Sequence, residues 1–348
     1  MRIAASVRAL EGYVPGEQPK SSNVIKLNTN ENPYPPSPAV AEVLRTFDVD
    51  RLRKYPDPIF TALRERLAEI HNTVPERIFV GNGSDEILTL AARAFVEDGE
   101  AIGSFNPSYS LYKTLAEIRN VPFRPTELAE GFAWAEPDVA GNVALFILTN
   151  PNAPTSIRYE DEKIAAFAKD FPGVVLIDEA YADFALKSLD SLAAAPGNEN
   201  TIVMRTLSKS YSLAGLRLGY AIGPVDLIDA LYKVKDSYNI DAIAQAVALA
   251  ALQDIEWMRA NTAKVIAERN RLAGELLHRG WDVPESATNF LFARPPAPHK
   301  AADVFKYLRG RNIFVRYFTY PRTDDRIRIT IGTPDEMDAL VAALDAMA

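Results

Sequence analysis

The sequence predicts an α/β protein, with a large domain built on a mostly parallel sheet and a smaller α+β domain after it. Three observations carry that expectation. Short β-rich runs alternate with segments of helical periodicity through the middle of the chain, the pattern of strands joined by crossover helices. The runs VALFIL (143–148) and VVLI (174–177) are apolar on both faces, as strands covered by helices on both sides must be. After Gly280 the order changes to strand, helix, strand, strand, helix.

Taken in order, the opening from Tyr13 to Pro38 is rich in proline and weakly patterned, which predicts a segment wrapping over the surface between domains. Strands are expected at Arg77–Val80, Val143–Thr149, Val174–Ile177, Thr201–Thr206 and Leu218–Ile222. Apolar residues at helical spacing predict helices at Asp85–Phe95, Leu111–Arg119, Glu160–Asp170 and Leu227–Lys235. From Asp241 to Arg279 the pattern is one long helix broken near Asp254. The last part predicts strands at Asn289–Ala293, Ile313–Arg316 and Arg326–Thr330, with helices at Ala301–Gly310 and Pro334–Leu344. The expected division is an N-terminal segment 1–44 belonging with the small domain as a lid, a large domain 45–255 and a small domain 256–348.

Composition narrows the chemistry. The 348 residues hold 38 Lys+Arg against 46 Asp+Glu, a formal charge of −8, with no cysteine and three histidines. Without cysteine there is no disulfide, iron–sulfur cluster, thiolate zinc site or cysteine nucleophile. His71, His278 and His299 are scattered, so no metal site is expected. An acidic balance argues against nucleic-acid and anionic-membrane partners. The N-terminal stretch is interrupted by Arg2, Arg8 and Glu11 and nothing resembles a membrane span, so a cytoplasmic protein is expected.

Familiar nucleotide motifs fail. GNGSDE at 81–86 has Glu86 where a dinucleotide fingerprint needs glycine, and neither GxxxxGK[ST] nor GxSxG occurs. The turn still has physical content: Ser84 is a good N-cap, and glycines beside exposed N–H groups suit an anion.

Four pieces become informative together: Thr149-Asn-Pro-Asn152-Ala-Pro-Thr155, Asp178-Glu-Ala-Tyr181, Ser208-Lys209-Ser210 and Ala214-Gly-Leu-Arg217. Three follow β-rich runs directly, and in a parallel sheet residues beyond the carboxyl ends of strands converge on one crevice. Singly, each has a mundane reading as a turn, a strand exit or a solvated cation. Their joint order does not.

The run from Arg205 to Tyr220, RTLSKSYSLAGLRLGY, resembles the cofactor-lysine segment of fold-type I aminotransferases, and is most similar to the histidinol-phosphate aminotransferase family. Other marks of that family follow in order: LNTNENP at 27–33, KYPDP at 54–58, GNGSDE at 81–86, PSY at 107–109, DEAY at 178–181 and RIRITIGT at 326–333. The resemblance implies a seven-stranded, mostly parallel sheet between helices in the large domain, and pyridoxal 5′-phosphate as cofactor. It makes Lys209 the lysine that carries the cofactor and shuttles a proton, Asp178 the carboxylate facing the ring nitrogen, and Tyr181 the phenol on the ring oxygen O3′. Tyr109 would stack on the ring, while Ser84, Asp85, Ser208 and Arg217 would hold the phosphate. Tyr55 matches a tyrosine that reaches the phosphate of a neighbouring subunit, implying a homodimer with shared sites.

The loop departs from the family's Asn-Asn-Pro-Thr-Gly at Ala153 and Ser156, which passes the asparagine contact with O3′ to Asn152. For the substrate, Arg328 resembles the arginine that most aminotransferases use for a carboxylate, and Arg316 is the second cation a phosphate arm would need. Tyr13 and Asn30, from the wrapping N-terminal segment, are expected as lid contacts. The implied reaction is transamination of L-histidinol phosphate with 2-oxoglutarate, a step of histidine biosynthesis. Alternatives are an aromatic amino acid or prephenate aminotransferase, or an enzyme like threonine-phosphate decarboxylase.

Overall fold

The structure, a computed structural model, describes residues 2–3, 7–8, 10, 16–19, 23–194 and 198–347. Eleven strands are found among them: β1 Ile25–Leu27, β2 Ile78–Gly81, β3 Ala101–Asn106, β4 Phe123–Glu127, β5 Val143–Thr149, β6 Val174–Asp178, β7 Thr201–Thr206, β8 Gly219–Ile222, β9 Phe290–Ala293, β10 Ile313–Tyr317 and β11 Ile327–Thr330. They form two sheets. One has seven strands in the order β2-β8-β7-β6-β5-β3-β4, and the other four in the order β1-β10-β11-β9.

The large sheet is parallel except at β8, which runs antiparallel to both β2 and β7. β6 and β7 lie at its centre, and β7 is buried along its whole length. Helices cover both faces, with Phe146, Val175 and Val203 in one apolar cluster and Leu145, Leu176 and Ile202 in another. That alternation explains why β5 and β6 read as continuous apolar runs.

Every strand and helix expected from periodicity is present to within two residues at its ends. The break at Asp254 is real: helix Ala242–Gln253 ends there and helix Ile255–His278 begins. Besides the short helices Ala182–Ala185 and Asp190–Ala194, five elements carry no strong pattern in the sequence. β1 is three residues long, and β3 holds Gly103, Ser104 and Asn106 among its six. β4 is an edge strand with exposed Arg124 and Pro125, and an edge tolerates proline. Helices Pro38–Thr46 and Thr61–Ile70 make up the rest. Among its described residues the proline-rich opening carries β1 and leads into helix Pro38–Thr46. Ser37 caps the first of these helices through Ala39 N–H, with Pro38 in the first turn, where no N–H is needed.

Candidate active site

Three strands of the large sheet deliver polar residues to one edge. Thr149 and Asp178, the last residues of β5 and β6, sit opposite each other in register, and Thr206 ends β7. Asp178 is 5% exposed. Its Oδ2 accepts from the Tyr112 hydroxyl at 2.7 Å and its Oδ1 from Ala180 N–H at 3.0 Å. The Tyr112 hydroxyl also lies 2.6 Å from Thr149 Oγ1. Burial pushes the Asp178 carboxyl up to about 6, against the pull of those hydrogen bonds and of Lys209. Among the described residues no cation lies within ion-pair distance of Asp178, so this buried carboxylate faces a place suited to a positive group.

Lys209 follows the end of β7, and its Nζ lies 5.9 Å from the centre of the Tyr181 ring. Two contacts fix its backbone. Asn32 Nδ2 donates to the carbonyls of Lys209 and Ser210 at 3.2 and 3.1 Å. The Ser210 hydroxyl donates to Asp183, which also holds the buried Arg205. Tyr181 is 7% exposed, packs edge-on against Phe290 at 5.2 Å, and its hydroxyl accepts from Asn30 Nδ2 at 2.8 Å. Tyr109 packs edge-on against Tyr112, with ring centres 5.5 Å apart.

The anion-binding turn is built by glycine. Helix Ser84–Ala94 begins with Ser84 as its first residue, so the expected cap at Ser84 is corrected: Gly83 holds the cap position with φ 79°, and Ser84 makes no capping bond. That φ favours glycine, and a Cβ there would sit 2.6 Å from Arg217 Nη2. Below the turn, a Cβ on Gly219 would come within 2.6 Å of Ser84 N. The Arg217 guanidinium therefore lies directly against the turn, 3.2 Å from Asp85 Oδ2. Ser208 is buried, and its backbone N–H donates to Thr206 Oγ1.

Asn152 is placed differently from its expected role. It is fully buried, its Oδ1 accepts from Ser108 Oγ, and its amide donates to Pro107 O and Thr155 Oγ1. With both ends of the amide engaged, it ties the loop to the Pro107–Ser108 segment that follows β3 rather than offering a group to the crevice. Ala153 carries no polar side chain to replace it.

Arg316 and Arg328 are direct cross-strand partners on β10 and β11. Their guanidinium carbons lie 5.6 and 5.5 Å from the Phe318 ring, and Arg328 Nη2 donates to Asn28 O at 3.0 Å. Asn30 is buried beside them, bonded to Thr330 of β11. Tyr55 is not brought into this group: it is 79% exposed, and its ring stacks on Tyr238 at 4.3 Å. Tyr13 lies outside the described residues. Sequence reading missed Tyr112, Asn32, Asp183 and Gly219. Tyr112 had a usable signal, because a tyrosine on the buried face of a helix must find a partner for its hydroxyl.

A family model for class I and II aminotransferases matches residues 22–344. Histidinol-phosphate aminotransferase 1 of Burkholderia pseudomallei is 45% identical over 345 residues, covering 97% of this chain and 96% of that one. The corresponding enzyme of Syntrophotalea carbinolica is 44% identical over 341 residues, 97% of each chain. The chain belongs to the histidinol-phosphate aminotransferase family. A crystal structure of the family's member from Sinorhizobium meliloti, in complex with pyridoxal 5′-phosphate, superposes with TM-score 0.88 at 26% identity, covering 100% of this chain and 98% of that one. L-threonine-O-3-phosphate decarboxylase from Porphyromonas gingivalis superposes with TM-score 0.78 at 22% identity over 93% of this chain and 99% of its own, a likeness of fold alone.

The residues present fit that cofactor. A buried carboxylate suits a protonated ring nitrogen, and a primary amine and a phenol stand beside it. A glycine-lined helix start with an adjacent guanidinium suits a phosphate.

Proposed function

We propose that this chain transfers the amino group of L-histidinol phosphate to 2-oxoglutarate, giving imidazole-acetol phosphate and glutamate, as a step of histidine biosynthesis. Pyridoxal 5′-phosphate supplies the electron sink when bound. Asp178, held by Tyr112 and Ala180, keeps a proton on the ring nitrogen. Lys209 anchors the cofactor and then moves a proton on and off the substrate carbon. Tyr181 would donate to the O3′ of a bound cofactor, and Tyr109 would stack on its ring. Ser84, Asp85 and Ser208 supply N–H and hydroxyl donors to the phosphate, and Arg217 a bidentate guanidinium. Asn152 is reassigned to holding the loop.

The observation that carries the substrate choice is the pairing of Arg316 with Arg328 across two strands. Like charges directly opposite repel, and among the described residues no carboxylate lies within ion-pair distance of Arg316 to offset this. A dianionic phosphate would satisfy both guanidinium groups. That reading joins the 45% identity to relatives named for this substrate. Asn30 stands at this end of the crevice; Tyr13, the other expected lid contact, lies outside the described residues. The proposed division at 44/45 and 255/256 puts the N-terminal segment with the small domain, whose sheet β1 joins through β10, although 44/45 falls within helix Pro38–Thr46.

A homodimer is part of the proposal. Val49, Leu52, Tyr55, Ile59 and Tyr238 are large apolar or aromatic side chains left exposed around one region of the chain, and a second copy would cover them while carrying Tyr55 to its phosphate. No helix among the described residues is long and apolar enough to cross a membrane, in keeping with a cytoplasmic enzyme. Half-reaction rates with histidinol phosphate against competing amino donors test the reading.

A further inference from the structure

The Tyr181 phenol stands at the end of a hydrogen-bond chain that starts in the four-stranded sheet. The backbone N–H of Asn30 donates to Thr330 Oγ1 at 3.0 Å, so the threonine's own proton is left for Asn30 Oδ1, also at 3.0 Å. Asn289 Nδ2 donates to the Asn30 carbonyl at 3.0 Å. These contacts set the amide with its oxygen on Thr330 and its NH₂ on Tyr181, 2.8 Å from the phenol oxygen. Asn30 is 2% exposed with φ 57°, a left-handed conformation that asparagine tolerates better than most residues. Thr330, Asn289 and Tyr181 are buried too. Nothing in this chain is left to solvent rearrangement.

A phenol oxygen that accepts a hydrogen bond cannot turn its proton back along the same line. It also donates more strongly elsewhere, because hydrogen bonds in series polarise one another. The proton must point away from Asn30. On the neighbouring loop Ala153 has no polar side chain, and both ends of the Asn152 amide are engaged by Ser108, Pro107 and Thr155. Tyr181 is thereby the sole donor of these three positions.

We infer that Asn30, fixed by Thr330 and Asn289, is a positioning residue that directs the Tyr181 hydroxyl proton into the crevice beside Lys209. This rests on the reading that pyridoxal 5′-phosphate binds there with O3′ facing Tyr181. The charged groups around the chain are Lys209, Asp178 three residues before Tyr181, Glu31 next to Asn30, and Arg328, whose guanidinium lies 5.2 Å from the Phe290 ring on which Tyr181 packs. None of them is altered by the substitutions used to test the role.

The test is a pH titration of the holoenzyme's cofactor absorbance without substrate. Donation to O3′ stabilises negative charge on the ring, so weakening it moves the spectral midpoint to higher pH. Asn30→Ala is expected to raise the midpoint by about one unit, a tenfold change in the proton equilibrium. Thr330→Val should raise it in the same direction, and Thr330→Ser, which keeps the hydroxyl, should restore the wild-type value. In a Tyr181→Phe background, Asn30→Ala should add nothing. An unmoved midpoint in both Asn30→Ala and Thr330→Val overturns the inference, as does an equal shift with and without the Tyr181 hydroxyl. A wild-type chain that shows no cofactor band at all refutes the cofactor reading instead, which separates the two failures.

Discussion

The Tyr112 hydroxyl donates to Asp178 Oδ2 at 2.7 Å from a position with no solvent exposure. This single contact ties the helix Leu111–Arg119 to the end of β6. It holds a buried carboxylate in one orientation, which is what a ring nitrogen needs from it. Replacing Asp178 by Asn keeps the shape and removes the charge. We expect kcat/KM to fall by at least about a hundredfold, in line with loss of a positioned acid–base partner. Tyr112→Phe leaves the Ala180 N–H as the remaining bond and should cost roughly 1–3 kcal/mol, read as weaker cofactor retention with the carboxylate still present.

The same carboxyl sets a pH dependence. Folding raises its pKa from the ordinary 3.8 to about 6, so the folded cofactor-free chain holds the proton longer than the unfolded one. The contribution of this group to stability is therefore best below pH 4 and declines as pH rises through 6, by ~3 kcal/mol. Urea unfolding of cofactor-free wild type and Asp178→Asn at pH 4.5 and 7.5 should show the variant gaining on the wild type at the higher pH. Adding cofactor should reverse the order at pH 7.5, because its ring cation then offsets the buried charge. Parallel curves for the two proteins would contradict this.

Gly219 is a test of the phosphate cradle that touches no charged group. A methyl there would lie 2.6 Å from Ser84 N and 2.9 Å from Gly83 C, and both are backbone atoms that cannot swing aside. Gly219→Ala should displace the helix start and weaken cofactor binding by about tenfold or more, with an overpacking cost of ~1–3 kcal/mol. Equilibrium dialysis of the cofactor measures it. Wild-type affinity would show that the turn has room.

The proposed homodimer with shared sites makes a distinct forecast for subunit mixing. Lys209→Ala alone should be inactive and lack the yellow colour of the lysine-bound cofactor. Tyr55→Ala alone should be impaired through its partner's phosphate. Chains of the two kinds, unfolded together and refolded as mixed dimers, should recover activity above either parent, since one site then has both residues. No recovery in a verified mixed dimer would remove Tyr55 from the site.

The central sheet was legible because β5 and β6 are buried on both faces, leaving nearly unbroken apolar runs, and β7 keeps a shorter one, Ile202–Met204. Lys209 and Asp178 were legible as candidates through their order behind those runs, and Arg217 through the resemblance carried by its segment. What escaped had physical causes. β1 is too short to show a period, and β4 is an edge strand with only Thr126 fully buried. Ser84 read as a cap because serine usually is one, but the backbone needed φ 79° one residue earlier, and glycine holds it. Asn152 read as a ring contact from its neighbours in sequence, whereas hydrogen bonds with Ser108, Pro107 and Thr155 absorb its amide. The grip on Asn30 joins positions 30, 289 and 330, a convergence that only the folded chain reveals.

The substrate is decided by single-turnover half-reactions of the cofactor-loaded enzyme with L-histidinol phosphate, phenylalanine, tyrosine and threonine phosphate. Histidinol phosphate should be fastest in specificity by at least tenfold, about 1.4 kcal/mol, and Arg316→Ala or Arg328→Ala should reduce that preference selectively. Phenylalanine or tyrosine winning by the same margin, or carbon dioxide released from threonine phosphate at a higher rate, would contradict the account.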